Sequence, residues 1–158
     1  MDKKILLVLG LVVVFAIIAI ITKSAIKKPI TNPEQARVQI GEYTYMVDIA
    51  DTGSEHAQGL SGRESLPTNG GMLFVFPTQR LQSFWMRGMN FPLDIIWIND
   101  EKVIGFAQDV PVPEGGQLPL YRSPEPADMV LELAAGTVAA DGIKVGDSVE
   151  VEYTSTNQ

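Results

Sequence analysis

Hydrophobic residues in this chain follow two regimes. Ile5 to Ile21 is an unbroken apolar run of 17 residues, ILLVLGLVVVFAIIAII, with Lys3 and Lys4 before it and Lys23 after it. Beyond it, apolar residues come in short bursts of roughly period two, separated by glycine, proline and asparagine. At about 1.5 Å rise per residue the first regime predicts a helix of roughly 26 Å. Thr22 and snorkelling lysines close the remaining gap to a ~30 Å hydrocarbon core. No polar face interrupts the run, which argues against a buried core helix. It is also longer than the ~7–15 apolar residues of a cleaved signal, and cleavage after Ala25 would leave Lys23 where a small residue is required. We therefore expect an uncleaved membrane anchor over residues 1–22. Lysines on both sides make the positive-inside count nearly a tie. A short tail before a single apolar segment favours a cytoplasmic N-terminus and an exported remainder.

Residues 23–36 are polar and carry lysine and proline, which reads as a linker. A single β-rich domain is expected over 37–153, with 154–158 as a disordered tail. Arg37 to Ala50 alternates around Gly41-Glu42, the pattern of a hairpin. Thr52 or Ser54 can cap a short helix reaching Gln58 and ended by Gly59. Strands are expected at Met72–Phe76, closed by Pro77, at Leu81–Arg87, and at Leu93–Ile98. The turn Asn99-Asp100-Glu101 then returns Lys102–Gln108 along the last of these. Pro111 to Pro126 is rich in glycine and proline and reads as an irregular loop. A further strand is expected at Met129–Leu133, one or two helical turns at Gly136–Ala140, and a last strand in which Val149, Val151 and Tyr153 face inward. The fold class expected is mainly β, a small closed or rolled barrel-like domain with two short helices.

Charge and composition narrow the function classes. The first 28 residues hold five lysines and one aspartate, so the whole-chain charge of −7 leaves about −11 for residues 29–158. Nucleic-acid binding needs clustered Lys and Arg to displace counterions, so no nucleic-acid partner is expected. The chain has no cysteine and one histidine, His56. That removes a thiol nucleophile, a zinc ribbon and any multi-histidine metal site, and no cofactor is expected.

Several segments together carry a resemblance. They are Gly59-Leu60-Ser61-Gly62-Arg63, Gly71-Met72-Leu73-Phe74-Val75-Phe76 and Phe84-Trp85-Met86-Arg87-Gly88-Met89, followed by Phe91-Pro92-Leu93-Asp94-Ile95-Ile96. Tyr121-Arg122-Ser123-Pro124, Val130-Leu131-Glu132-Leu133 leading to Gly136, and Gly142 to Asp147 complete the set. In order and spacing the chain resembles the family called domain of unknown function 192, or uncharacterised protein family 127. Ser61 stands where many members carry methionine, and Gly88 where many carry asparagine. The resemblance implies a compact β-rich domain, often behind an export signal or anchor, and no established activity.

Candidate chemistry concentrates around Trp85 to Asp94. Trp85, Arg87 and Asp94 bring a cation and a carboxylate beside aromatic rings, an arrangement that suits a small polar ligand or a sugar. Arg63, Tyr121, Ser123 and Glu132 are the further ligand-binding candidates. The plainer alternative is that Asp94 caps a turn or pairs with Arg63 or Arg87. Asp94 and Glu132 form the one plausible catalytic pair, that of a glycan-directed hydrolase. Ser61, Ser65 and Ser123 lack a convincing base, because His56 is placed on an exposed helix. Met72, Met86 and Met89 suggest a thioether copper carrier, against ordinary core packing. The leading reading is a membrane-tethered extracytoplasmic binding or accessory module. Its partners would be the membrane, through Ile5–Ile21, and an unknown small ligand, glycan or envelope protein.

Overall fold

The computed structural model describes residues 35–154, all within the compact unit Pro33–Gln158. The expected anchor 1–22, the linker up to residue 34 and the tail from residue 155 lie outside the described residues. Within the described residues Gln35 opens the first strand and Thr154 closes the last. Among the described residues no helix is long and apolar enough to cross a membrane.

The alternating segment from Gln35 folds as expected into a hairpin, β1 (Gln35–Ile40) and β2 (Tyr43–Ala50), turning at Gly41 with φ +60°. The helix α1 (Gly53–Gln58) follows. Thr52 Oγ1 accepts the Glu55 N–H at 3.2 Å and the Glu55 carboxylate accepts the Thr52 N–H at 3.0 Å, a reciprocal cap. Next come β3 (Gly70–Arg80), β4 (Ser83–Phe84), β5 (Leu93–Asn99), β6 (Lys102–Val110), β7 (Tyr121–Arg122) and β8 (Ala127–Ala134). The helix α2 (Thr137–Ala140) and the strand β9 (Val149–Thr154) complete the described chain.

Seven strands form one sheet in the order β6-β5-β8-β3-β2-β1-β9, while β4 and β7 pair in a separate ribbon. Neighbours are antiparallel except β2 and β3, which run parallel because the α1 segment carries the chain across between them. Of the closed or rolled barrel-like domain expected from sequence, the closed form is not made among the described residues. The outermost strands β6 and β9 meet at one end only, through a bridge between Lys102 and Ser148. Two register shifts in the β5–β6 ladder raise the local twist, and no ladder between β6 and β9 continues past that bridge.

Strands β3, β5 and β8 are covered on both faces, so their burial runs almost without alternation. One face packs Leu73, Ile96, Ile98, Leu131 and Leu133 against the β1–β2 hairpin and against Val138 and Ile143. The other packs Met72, Phe74, Phe76, Ile95, Trp97 and Val130 against Leu60, Met86 and Met89 from the connecting segments.

Three elements differ from the sequence reading. β3 continues through Pro77, because the β3–β8 ladder shifts register between Val75 and Arg80 and leaves no bond for proline to miss. Of the strand expected over Leu81–Arg87 only Ser83–Phe84 pairs, with Tyr121 and Arg122, since the chain then turns at Gly88 with φ +67°. Tyr153 is 58% exposed rather than inward, lying opposite Ala36 on the outermost strand, where no further strand covers it.

The double coverage demands close strand contact at one point. A methyl group on Gly71 would overlap the Glu132 carbonyl oxygen, with Leu133 Cδ2 only 2.8 Å away. Backbone cannot yield there as a side-chain tip can. Gly71→Ala is expected to lower stability by roughly 1–3 kcal/mol, the range of core overpacking. Urea unfolding of the variant would show it, and an unchanged midpoint would contradict it.

Candidate functional site

Glu132 sits in the middle of β8, opposite Met72 on β3 and Ile95 on β5. Its neighbours along the strand, Leu131 and Leu133, point into the first apolar layer, so strand alternation turns Glu132 toward the second. The residue is 4% exposed. Among the described residues no hydrogen-bond donor or cation reaches its carboxyl group. Burial alone pushes that carboxyl up to about 8.

Glu132 lines a cleft of about 200 Å³. Phe74, Phe84 and Trp85 give it aromatic walls, and Phe74 and Phe84 meet edge to face with centroids 4.9 Å apart. Gln58, Ser61, Arg80, Gln82 and Ser83 add polar residues to its lining. Two loops are stitched together beside it. Ser61 Oγ donates to the Arg87 carbonyl at 2.7 Å, Gly62 N–H to the Gly88 carbonyl at 2.8 Å, and Asn90 Nδ2 to the Arg63 carbonyl at 2.8 Å. These bonds hold the segment from Trp85 to Met89 over the second apolar layer.

His56 is partly buried rather than exposed. Its Nε2 lies 3.0 Å from the Ala50 carbonyl and 3.1 Å from the Val75 carbonyl. Carbonyl oxygens only accept, so Nε2 carries the proton and the ring pins α1 to the end of β2 and the middle of β3. The ring also packs on Phe76 at 4.6 Å between centroids.

The other sequence candidates have separate positions. Asp94 and Glu132 do not make a catalytic pair. Asp94 stands opposite Leu133 and Ile95 opposite Glu132, so the two carboxylates project from opposite faces of the sheet. Asp94 is fully buried and accepts the Val138 N–H at 2.7 Å and the Asp109 N–H at 2.8 Å. Gly136, at the N-cap of α2, has no side chain to cap the helix, and Asp94 supplies that oxygen from β5. Arg63 pairs with Asp48 at 2.7 Å, and Arg87 stacks on Trp85 at 4.3 Å. Tyr121 packs beside the second apolar layer on β7, while Ser123 Oγ accepts the buried Gln82 N–H at 2.9 Å. Of the seven candidates only Trp85 and Glu132 line the cleft.

Nor do the methionines form an exposed soft-metal site. Met72, Met86 and Met89 are 5%, 1% and 7% exposed and pack as core. Among the described residues no group of three His, Asp or Glu side chains is placed to hold a metal ion.

The family model for DUF192, described as "Uncharacterized ACR", matches residues 36–151. The chain belongs to the DUF192 family. A Novosphingobium aromaticivorans protein of unknown function shares 32% identity, covering 77% of this chain and 89% of its own, with a TM-score of 0.70. A candidate transcription regulator from Sinorhizobium meliloti shares 32% identity, covering 75% of this chain and 92% of its own, with a TM-score of 0.66. No curated protein matches the chain.

Within this DUF192 domain, sequence reasoning missed Phe74, Phe84, His56, Arg80 and Gln82 as parts of the cleft. Phe74 lies in the apolar run Met72–Phe76, where strand pattern alone does not separate a cleft wall from core. The signal that could have found the site is the lone charge in Val130-Leu131-Glu132-Leu133, on a strand apolar on both faces.

Two outcomes follow. Asp94→Asn presents one of its two amide donors with an NH2 group, and is expected to destabilise the domain by roughly 1–3 kcal/mol. Calorimetry checks this, and an unchanged melting temperature would count against it. For Glu132, the folded carboxyl keeps its proton up to about pH 8, whereas the unfolded one releases it near 4.5. Between these values the folded state binds more protons, so stability falls as pH rises, by at most ~1.4 kcal/mol per unit from this group. Glu132→Gln removes that slope. The variant is expected to gain on the wild type in thermal unfolding from pH 5 to pH 8, and parallel curves would contradict it.

Proposed function

We propose that this DUF192 domain is a binding module that takes a small ligand in the Glu132 cleft. In the same reading, Ile5–Ile21 tethers the domain to the cell membrane, with the domain on the extracytoplasmic side. One observation carries the binding half: a carboxyl group buried at the cleft with no donor among the described residues. Taking a carboxyl group out of most of its water without a protein partner is costly. A ligand that supplies the missing partner offsets that cost.

Binding fits the surroundings better than turnover. Among the described residues Glu132 is the one carboxyl lining the cleft, and Asp94, its partner in the catalytic scheme, caps α2 on the other face. Ser61 lines the cleft, but its hydroxyl proton is engaged by the Arg87 carbonyl, and His56 Nε2 by two carbonyls. A charge of about −11 over residues 29–158 argues against nucleic acid as the ligand. The tether reading rests on the apolar run and its lysine flanks.

The binding half is tested by incubating the full-length protein with a small-molecule extract of its own cell envelope and identifying enriched compounds by mass spectrometry. At least one compound is expected to be retained by the wild type and lost with Ser61→Phe, which adds bulk to the cleft lining. Equal retention by both, or none, would overturn the reading. The tether half predicts that protease added to spheroplasts digests the domain. Protection until lysis would refute it.

A further inference from the structure

We infer that the ligand of this cleft is an organic cation, a protonated amine or amidine on a flat apolar body, whose charged nitrogen pairs with the Glu132 carboxylate between the aromatic walls. This inference rests on the cleft-binding reading above and assigns its ligand chemistry.

The geometry supplies both halves of such a site. Glu132 offers oxygen acceptors at a buried point, and no cation among the described residues is bound there. Phe74, Phe84 and Trp85 line the same space. Aromatic faces attract cations through the ring quadrupole, more strongly where water is excluded. The rim already uses its rings this way. The Arg87 guanidinium stands 4.3 Å from the Trp85 ring centroid, and the Arg80 guanidinium 5.5 Å from that of Phe76. An anion would meet a carboxyl group in an acidic domain, whereas a cation is drawn to it by the field of the whole domain.

Charged groups facing Glu132 come from few elements. From β3, Arg80 lines the same cleft, while Met72, Phe74 and Phe76 carry no charge. From α1 comes His56, held on backbone carbonyls. Beyond the stitched loops Arg63 is paired with Asp48 and Arg87 lies on Trp85, while Asp94 of β5 faces the opposite layer. Among the described residues no lysine lines the cleft. Because burial alone governs the Glu132 carboxyl, it is protonated at neutral pH, and a cation must displace that proton to pair with it. Binding therefore releases a proton and strengthens as pH rises.

The test uses the full-length chain in detergent micelles, with empty micelles subtracted, and three probes of one shape: benzylammonium, benzyl alcohol and benzoate. Isothermal calorimetry is expected to show benzylammonium binding best. Its affinity should rise roughly fifty-fold from pH 6 to pH 8, as linkage to a group near pH 8 requires. The heat should vary with the ionisation enthalpy of the buffer, reporting proton release. Glu132→Gln should weaken benzylammonium at least tenfold and leave benzyl alcohol unchanged. The wild-type pH series stands on its own if the variant does not fold. Benzyl alcohol or benzoate binding as tightly as benzylammonium, or a cation affinity indifferent to pH, would overturn the cation inference and leave the cleft reading standing. Failure of all three probes to bind, together with no compound retained from the envelope extract, would overturn both.

Discussion

Coverage of β3, β5 and β8 on both faces is the constraint from which the rest of the domain follows. A strand buried on both sides has no wet face on which to place a charge, yet β5 carries Asp94 and β8 carries Glu132. The two are handled differently. Asp94 accepts two backbone amides, one of them the first-turn amide of α2, and so serves as the cap that Gly136 cannot be. At its other end α2 is tied by the Tyr45 hydroxyl, which donates to Asp141 at 2.6 Å. Burial, reinforced by Asp141, holds that hydroxyl well above the ordinary tyrosine range. Burying Asp94 thus fastens the lid on one apolar layer. Glu132, one residue of register away and on the opposite layer, receives no such partner.

Much of the fold was legible because local chemistry decided it. The β1–β2 hairpin, the Thr52 cap, Gly59 at the end of α1 and the Asn99–Lys102 turn each follow from a few adjacent residues. What local pattern could not decide was the neighbourhood of each strand. Parallel pairing of β2 with β3 and insertion of β8 between β5 and β3 are long-range choices, and they separate a sheet whose ends touch once from a closed barrel. Tyr153 shows the same limit. Its alternation with Glu152 is regular, but inward and outward lose their meaning on an outermost strand.

The site was legible only in part, for a related reason. Trp85, Arg87 and Asp94 are close in sequence, and closeness suggested one groove. The chain turns at Gly88 and enters β5 at Leu93, which delivers Asp94 to the far layer and leaves Trp85 at the cleft. Glu132 was noticed as an acid in apolar context, but its partner was sought in the wrong place. A strand residue two positions from a hydrophobic neighbour shares its face, and one position away it does not. Asp94 against Leu133, and Ile95 against Glu132, therefore rule out the pair before any distance is measured.

Two guanidinium groups lie near the cleft, and the reason neither neutralises Glu132 is itself informative. Arg87 is held on the exposed indole of Trp85 and Arg80 on Phe76, each by an attraction that competes with a move toward the carboxylate. Arg80 would also have to shed part of its water to reach a carboxyl group that is 4% exposed, and that desolvation offsets much of the Coulomb gain. A small ligand differs from an arginine in this respect. It can bring its charge on an apolar body that is itself better placed out of water, so the aromatic walls repay part of the desolvation that the long polar arginine head must bear alone. Glu132 thus stays without a cation among the described residues because the guanidinium groups near it are held on aromatic rings.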